Sequence, residues 1–303
     1  MYCITLYTQA LTSTADGPKH LPQNPSLEYL RREARGLRAK HRSKDISVFK
    51  VIGHFDTSFH GLDQDEVFAR KFSIIDAQRV TARQYCFASW RRLKLFVQKE
   101  AEKTSTYNPV LREELLRRNE MRLALIRRAK DKRPGSQESL RAFNEESQEI
   151  VRKIYERFGW PGPQLVGRDG LEACYWLAVS HSGNSKFQYE CAMLMKEALP
   201  KGECYGVEYA MTIDRWLCLS YKPTIYGCFN DFNVETGRVE YTRDFIDPVN
   251  INKRRAEVGL PNFEAANEDL HVRATAQKWP RFTKADWEKM KRQWSLEGGY
   301  ISG

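Results

Sequence analysis

The chain lacks any uninterrupted apolar run of 18 residues, so no membrane-crossing helix is expected. Its opening, MYCITLYTQALTSTADG, has neither a basic stretch nor a continuous apolar block, which argues against a secretory signal. No two of its seven cysteines, Cys3, Cys86, Cys174, Cys191, Cys204, Cys218 and Cys228, form a C-x-x-C pair. An odd count at irregular spacing fits free buried thiols in a reducing, cytoplasmic setting and excludes zinc ribbons and fingers. There is no P-loop, no G-x-G-x-x-G, no G-x-S-x-G and no H-E-x-x-H. Common nucleotide-binding, triad-hydrolase and zincin readings therefore lose their usual support. Internal repeats are absent as well.

What is present is ordinary globular composition: 303 residues, 41% hydrophobic, 29% charged and 12% aromatic. Disordered, collagenous and low-complexity classes are excluded, and the length suggests two domains. The net charge of +10 is unevenly spread. Residues 1–98 hold 16 Lys/Arg against 9 Asp/Glu, residues 99–158 hold 15 against 11, and residues 159–303 hold 18 against 19. A basic first half can dock nucleic acid or an acidic protein, or simply solvate Arg-rich helix faces. Few aromatics interleave Arg117, Arg118, Arg127, Arg128, Lys130, Lys132 and Arg133, so nucleic acid is the less favoured partner.

Periodicity and stop signals divide the chain into an extension (1–20), a helical module (21–100) and a helical domain (101–303). Asn24-Pro25 opens a helix with Leu27, Leu30, Ala34 and Leu37 on one stripe. Ser73 with Asp76 reads as a capping box, and Ser89 as the cap of a helix carrying Trp90, Leu93, Phe96 and Val97. Two long helices follow, separated by Pro134-Gly135-Ser136 and ended by Gly159 and Pro161. LEACYWLAV, 171–179, is apolar nearly all round and should lie in the core. Phe187, Cys191, Leu194, Met195 and Ala198 stripe another helix. IDRWLCLSY, TIYGCFNDF and GRVEY, split by Lys222-Pro223 and Thr236-Gly237, read as a three-strand antiparallel meander at about 213–240. Short helices are expected near 250–258 and 283–294, the latter with Trp287, Met290 and Trp294. The expected class is α+β, predominantly helical, with Trp90 and Trp160 buried at their turns.

Asp76-Ala77-Gln78, Tyr85, Phe87, Ser89 and Trp90 resemble a helical module common in bacterial proteins, often ahead of ankyrin repeats. Cys86 stands where that family favours glycine, so it must enter the left-handed region at a cost or the turn must differ. From about 109 to 265 the chain resembles an uncharacterised bacterial domain family. Its signature is matched by Gly159-Trp160-Pro161, Gly167, His181, Phe187-Gln188, Asp214-Arg215, Tyr226-Gly227 and Arg254-Arg255. Ser180 replaces the family's glutamine before the histidine, and Cys228-Phe229 replace Thr-Gln. The resemblance implies no reaction.

These residues supply the candidate site. His181, beside small residues at a helix exit, suits proton transfer near neutral pH. Asp214 and Arg215 complete the catalytic candidates, with Arg215 as anion clamp. Gln188, Tyr226, Arg254 and Arg255 are the ligand-binding candidates, suiting a small polar or anionic ligand. Structural readings compete: His181 as a helix-closing residue and Asp214-Arg215 as an ion pair. His54, Asp56, His60, Asp63, Asp65 and Glu66 have metal-ligand chemistry but no recognisable spacing, and read as a loop with capping aspartates. No metal, cofactor or membrane partner is expected. The expectation is a ligand-binding or enzymatic pocket. The alternatives are an interaction module built on the basic half, and an inactive scaffold relative lacking two site residues.

Overall fold

Capping side chains set where the first helices begin. In this computed structural model, residues 17–22, 25–101, 107–131, 133–179, 185–220, 222–229, 231–233, 238–240 and 244–276 are described. Ser26 accepts the Tyr29 amide at 3.1 Å and starts α1 (Leu27–Arg42), two residues beyond the expected cap at Asn24, which lies outside the described residues. After α2 (Phe49–Phe55), Asp63 and Glu66 form a reciprocal capping box on α3 (Gln64–Ala69), and Ser73 and Asp76 form another on α4 (Ile74–Gln84). Ser89 takes the Arg92 amide at 3.3 Å and starts α5 (Trp90–Ala101). Each such cap satisfies an amide that the helix itself leaves open.

Cys86 does pay the geometric cost its position implied. It adopts φ 62°, its amide donates to Arg83 O at 2.9 Å, and the Phe87 amide donates to Ala82 O at 3.0 Å. This is the helix ending in which glycine is usual, so a side chain here costs roughly 1 kcal/mol.

The chain forms two compact units, Met1–Lys94 with Tyr205–Gly303, and Leu95–Cys204. In the first, Ala34, Val48, Val51, Ile52, Phe55, Phe59, Val67, Phe72, Ala77 and Val80 build one core. Buried His41 lies against Phe68 and Phe72, its Nε2 2.9 Å from Val67 O. In the second unit, α6 (Pro109–Lys130), α7 (Ser136–Phe158) and α8 (Pro163–Val179) pack on one another, followed by α9 (Ser185–Ala198). Gly167 bends α8 at φ 71°, conformation that only glycine enters without strain. Leu171, Ala173, Cys174, Tyr175, Leu177, Ala178 and Val179 are buried, as a run interrupted only by Glu172 requires.

The expected meander does not form, and the α+β class is corrected to a helical one. Residues 206–219, which include the supposed first strand, are α10 (Gly206–Leu219). Every residue from Gly206 to Asp214 is buried, so no polar face marks the helical period, and a short buried helix segment reads like a strand. Residues 224–228 are loop, bridged at Thr224 to Phe245. Among the described residues, pairing is otherwise confined to a three-residue ribbon, β1 (Asp231–Asn233) with β2 (Arg238–Glu240), too short to make a sheet layer. The chain continues through α11 (Ile251–Glu257) and α12 (Phe263–Ala276), the second of which the sequence reading missed. The helix expected near 283–294 lies outside the described residues.

Trp160 is 5% exposed, whereas Trp90 is only half-buried, contrary to expectation. Trp160→Ala should cost about 3–5 kcal/mol, and Trp90→Ala less than half as much. Equal shifts of the two urea midpoints would contradict this. Burial works to raise the Asp76 carboxyl, but the Ser73 hydroxyl and amide and the Arg79 charge outweigh it, leaving the pKa below its ordinary 3.8. A depressed pKa stabilises the fold above the unfolded value and is lost as pH falls through the folded one. Asp76→Asn should therefore cost about 1 kcal/mol at pH 7, a difference that closes only below pH 3.8. Paired unfolding curves across that range test it.

Candidate functional site

Asp214 is fully buried on α10, and its carboxylate is taken up by backbone amides. Oδ1 accepts from Ile225 at 2.8 Å and Tyr226 at 3.1 Å, and Oδ2 from Tyr226 at 3.1 Å and Cys228 at 2.9 Å. Burial pushes its pKa up, while these amides and the Arg255 charge pull it back, with burial prevailing. From the other side, Arg255, 3% exposed on α11, donates Nη1 to Tyr226 O at 2.5 Å and Nε to Pro261 O at 2.7 Å. Arg254 donates Nε to Ile225 O at 3.1 Å and pairs with Asp247 at 3.2 Å. Gly227, at φ 64°, leaves no room for a side chain, since a Cβ would meet Phe263 at 2.7 Å and Phe245 at 2.8 Å. Burial, with the neighbouring Tyr209 ring, raises the Tyr226 phenol.

Four candidate residues, Asp214, Tyr226, Arg254 and Arg255, thus converge, but mainly upon the backbone of the 225–228 loop. Cys228, where Thr was expected, still contributes its amide to this lock. Arg215 is half-buried beside Asp214 on α10. Gln188 is fully buried on α9 in the second unit. His181, with Ser180, lies outside the described residues.

The histidine- and aspartate-rich segment at 54–66 is tied up within the chain. Asp56 pairs with Arg79 at 2.5 Å and accepts from Ser58, and Asp63 caps α3. His60 lies 3.2 Å from Glu264 and 2.9 Å from Asn262 Nδ2. Among the described residues, no group of three His, Cys, Asp or Glu is placed to hold a metal.

A cleft of about 500 Å3 opens in the first unit, lined by Thr57, Arg83, Ala88, Ser89, Arg92, Lys253, Ala256 and Glu257. Arg83 donates Nη1 to Phe55 O at 2.8 Å, and burial lowers its pKa against the pull of Asp56. Arg92 donates Nη1 to Glu257 O at 3.1 Å. Lys253 is exposed and forms no ion pair among the described residues. The cleft lies at the start of α5, whose first turn has no acidic residue. None of these cations was a sequence candidate. The available signal was Arg91-Arg92 just inside a helix N-terminus, where the dipole disfavours cations.

A family described as being of unknown function, DUF6624, matches residues 113–273. The chain belongs to this family. Its DUF6624 region takes in the signature residues from Gly159 to Arg255, and with them the whole Asp214 lock. The match does not reach residues 21–98, so the resemblance of that segment to the ankyrin-preceding module is not supported. No curated protein and no solved structure matches significantly.

The lock carries a stability prediction for this DUF6624 member. Asp214→Ala leaves three buried or half-buried amides without their acceptor and should cost about 3 kcal/mol. A urea midpoint matching the parent's would show that the cradle adds nothing.

Proposed function

We propose that this protein binds a small phosphate-bearing ligand in the cleft between the α4–α5 corner and α11. The observation that carries the reading is the gathering of Arg83, Arg92 and Lys253 around the start of α5, against the single carboxylate of Glu257. Helix starts favour anions because their amides and dipole point at the ligand. Three cations and the hydroxyls of Ser89 and Thr57 suit a multiply charged, many-acceptor group better than a lone carboxylate. The anionic-ligand reading of the sequence is kept, and its residues change. A catalytic extension, with His181 as acid/base and Arg215 as anion clamp, rests on the sequence alone.

Docking of nucleic acid on the basic half is the weaker reading. Several cations there are engaged inside the chain: Arg35 with Glu28, Arg79 with Asp56 and Asp76, Arg117 with Glu114, and Arg118 with Glu114 and Glu146.

Calorimetric titration of the full chain with inorganic phosphate tests the proposal. Saturable binding should weaken with added salt. Lys253→Gln, which removes no hydrogen bond seen in the fold, should weaken it about tenfold, the loss of one charge-assisted contact. No saturable heat at millimolar phosphate, or an unchanged affinity in Lys253→Gln, would overturn it.

A further inference from the structure

Leu115, Arg122 and Ala129 are the buried residues of α6, spaced by seven. Such spacing keeps side chains on one inward-facing stripe, and the middle position holds an arginine, 5% exposed, where packing calls for an apolar residue. Three arginines of the first half of α6 meet carboxylates: Arg112 meets Asp169, Arg117 meets Glu114, and Arg118 meets Glu114 and Glu146. Arg122 meets none among the described residues. Its Nε donates to Asn119 Oδ1 at 3.0 Å, and its guanidinium carbon lies 5.4 Å from the centre of the Trp176 ring on α8. Burial pushes its pKa down to about 10, with no acid opposing.

A charge held this deep without a counter-ion lowers stability unless something supplies the opposite charge. On α7, Asn144 and Gln148 are buried polar residues one turn apart. The 2.9 Å pair between Arg118 and Glu146 ties α6 to α7.

We propose that Arg122 is the receptor for a carboxylate group, held in the plane of the guanidinium beside Trp176. The geometry selects the class. One face of the guanidinium rests against the indole, so the ligand meets the edge, where two N–H groups match two coplanar oxygens. A single fixed cation balances one negative charge, which suits a carboxylate better than a phosphate dianion. The site is built wholly from residues 95–204 and does not depend on the phosphate reading.

The carboxylate can come from a small acid in solution or from an acidic side chain of another protein. Sodium acetate and a short glutamate-rich peptide, titrated into the full chain at constant ionic strength with chloride as reference, separate the two. Saturable stabilisation by acetate identifies a free acid; a response to peptide alone identifies a protein side chain. Arg122→Met fills similar space without charge. It should keep or raise the urea midpoint in chloride and weaken ligand binding at least about tenfold, as expected for one bidentate charge-assisted pair. Arg122→Lys keeps the charge without the fork, should lose about as much, and serves if the methionine variant does not fold. The proposal is overturned if neither probe gives saturable stabilisation, if the lysine variant binds as the parent does, or if phosphate acts at Arg122 more tightly than acetate.

Discussion

A buried carboxylate must find donors, and Asp214 takes three backbone amides from one short loop. That constraint organises the carboxy-terminal part of the first unit. With residues 225–228 drawn onto α10, the carbonyls of Ile225 and Tyr226 face Arg254 and Arg255, which anchor α11. Helix α11 then turns Lys253, Ala256 and Glu257 toward the cleft. Asn262 extends the stitching, donating its amide to His54 O at 2.8 Å and its side chain to Gly53 O. One desolvated charge therefore positions residues that never touch it.

The same reasoning explains why three pairs of adjacent residues meet here. Asp-Arg, Tyr-Gly and Arg-Arg contribute a carboxylate, a glycine able to adopt positive φ, and two guanidinium groups that hold carbonyls. Those roles need particular residue types. Position 228 supplies an amide, which any residue but proline can do, and its thiol also bonds Asp214.

Electrostatics divides the basic residues into two kinds. Exposed pairs such as Arg35 with Glu28 stabilise little, because water and salt screen them. Arg83, Arg92, Lys253 and Arg122 differ: three share a cleft and the fourth is buried on an indole. Net charge reports the first kind, since most lysines and arginines are surface residues. Only the arrangement in space distinguishes the second.

The sequence by itself determined the local events. Ser73 with Asp76, Ser89, Pro134-Gly135 and Gly159 mark helix ends through interactions within a few residues. The run 171–179 declared its burial because no polar residue interrupts it for long. Residues 213–219 were misread as a strand because the helix turns preceding them, 206–212, are buried on every side and show no period. The candidate site was legible as a set of residues, while their tasks were not, since the partners of Asp214 and Arg255 are backbone groups that no side-chain pattern records. Tertiary structure alone decided that residues 205–303 join 1–94, and that Thr57, Arg83, Arg92 and Lys253 line one cleft. Those residues are up to nearly two hundred positions apart, and packing rather than periodicity brings them together.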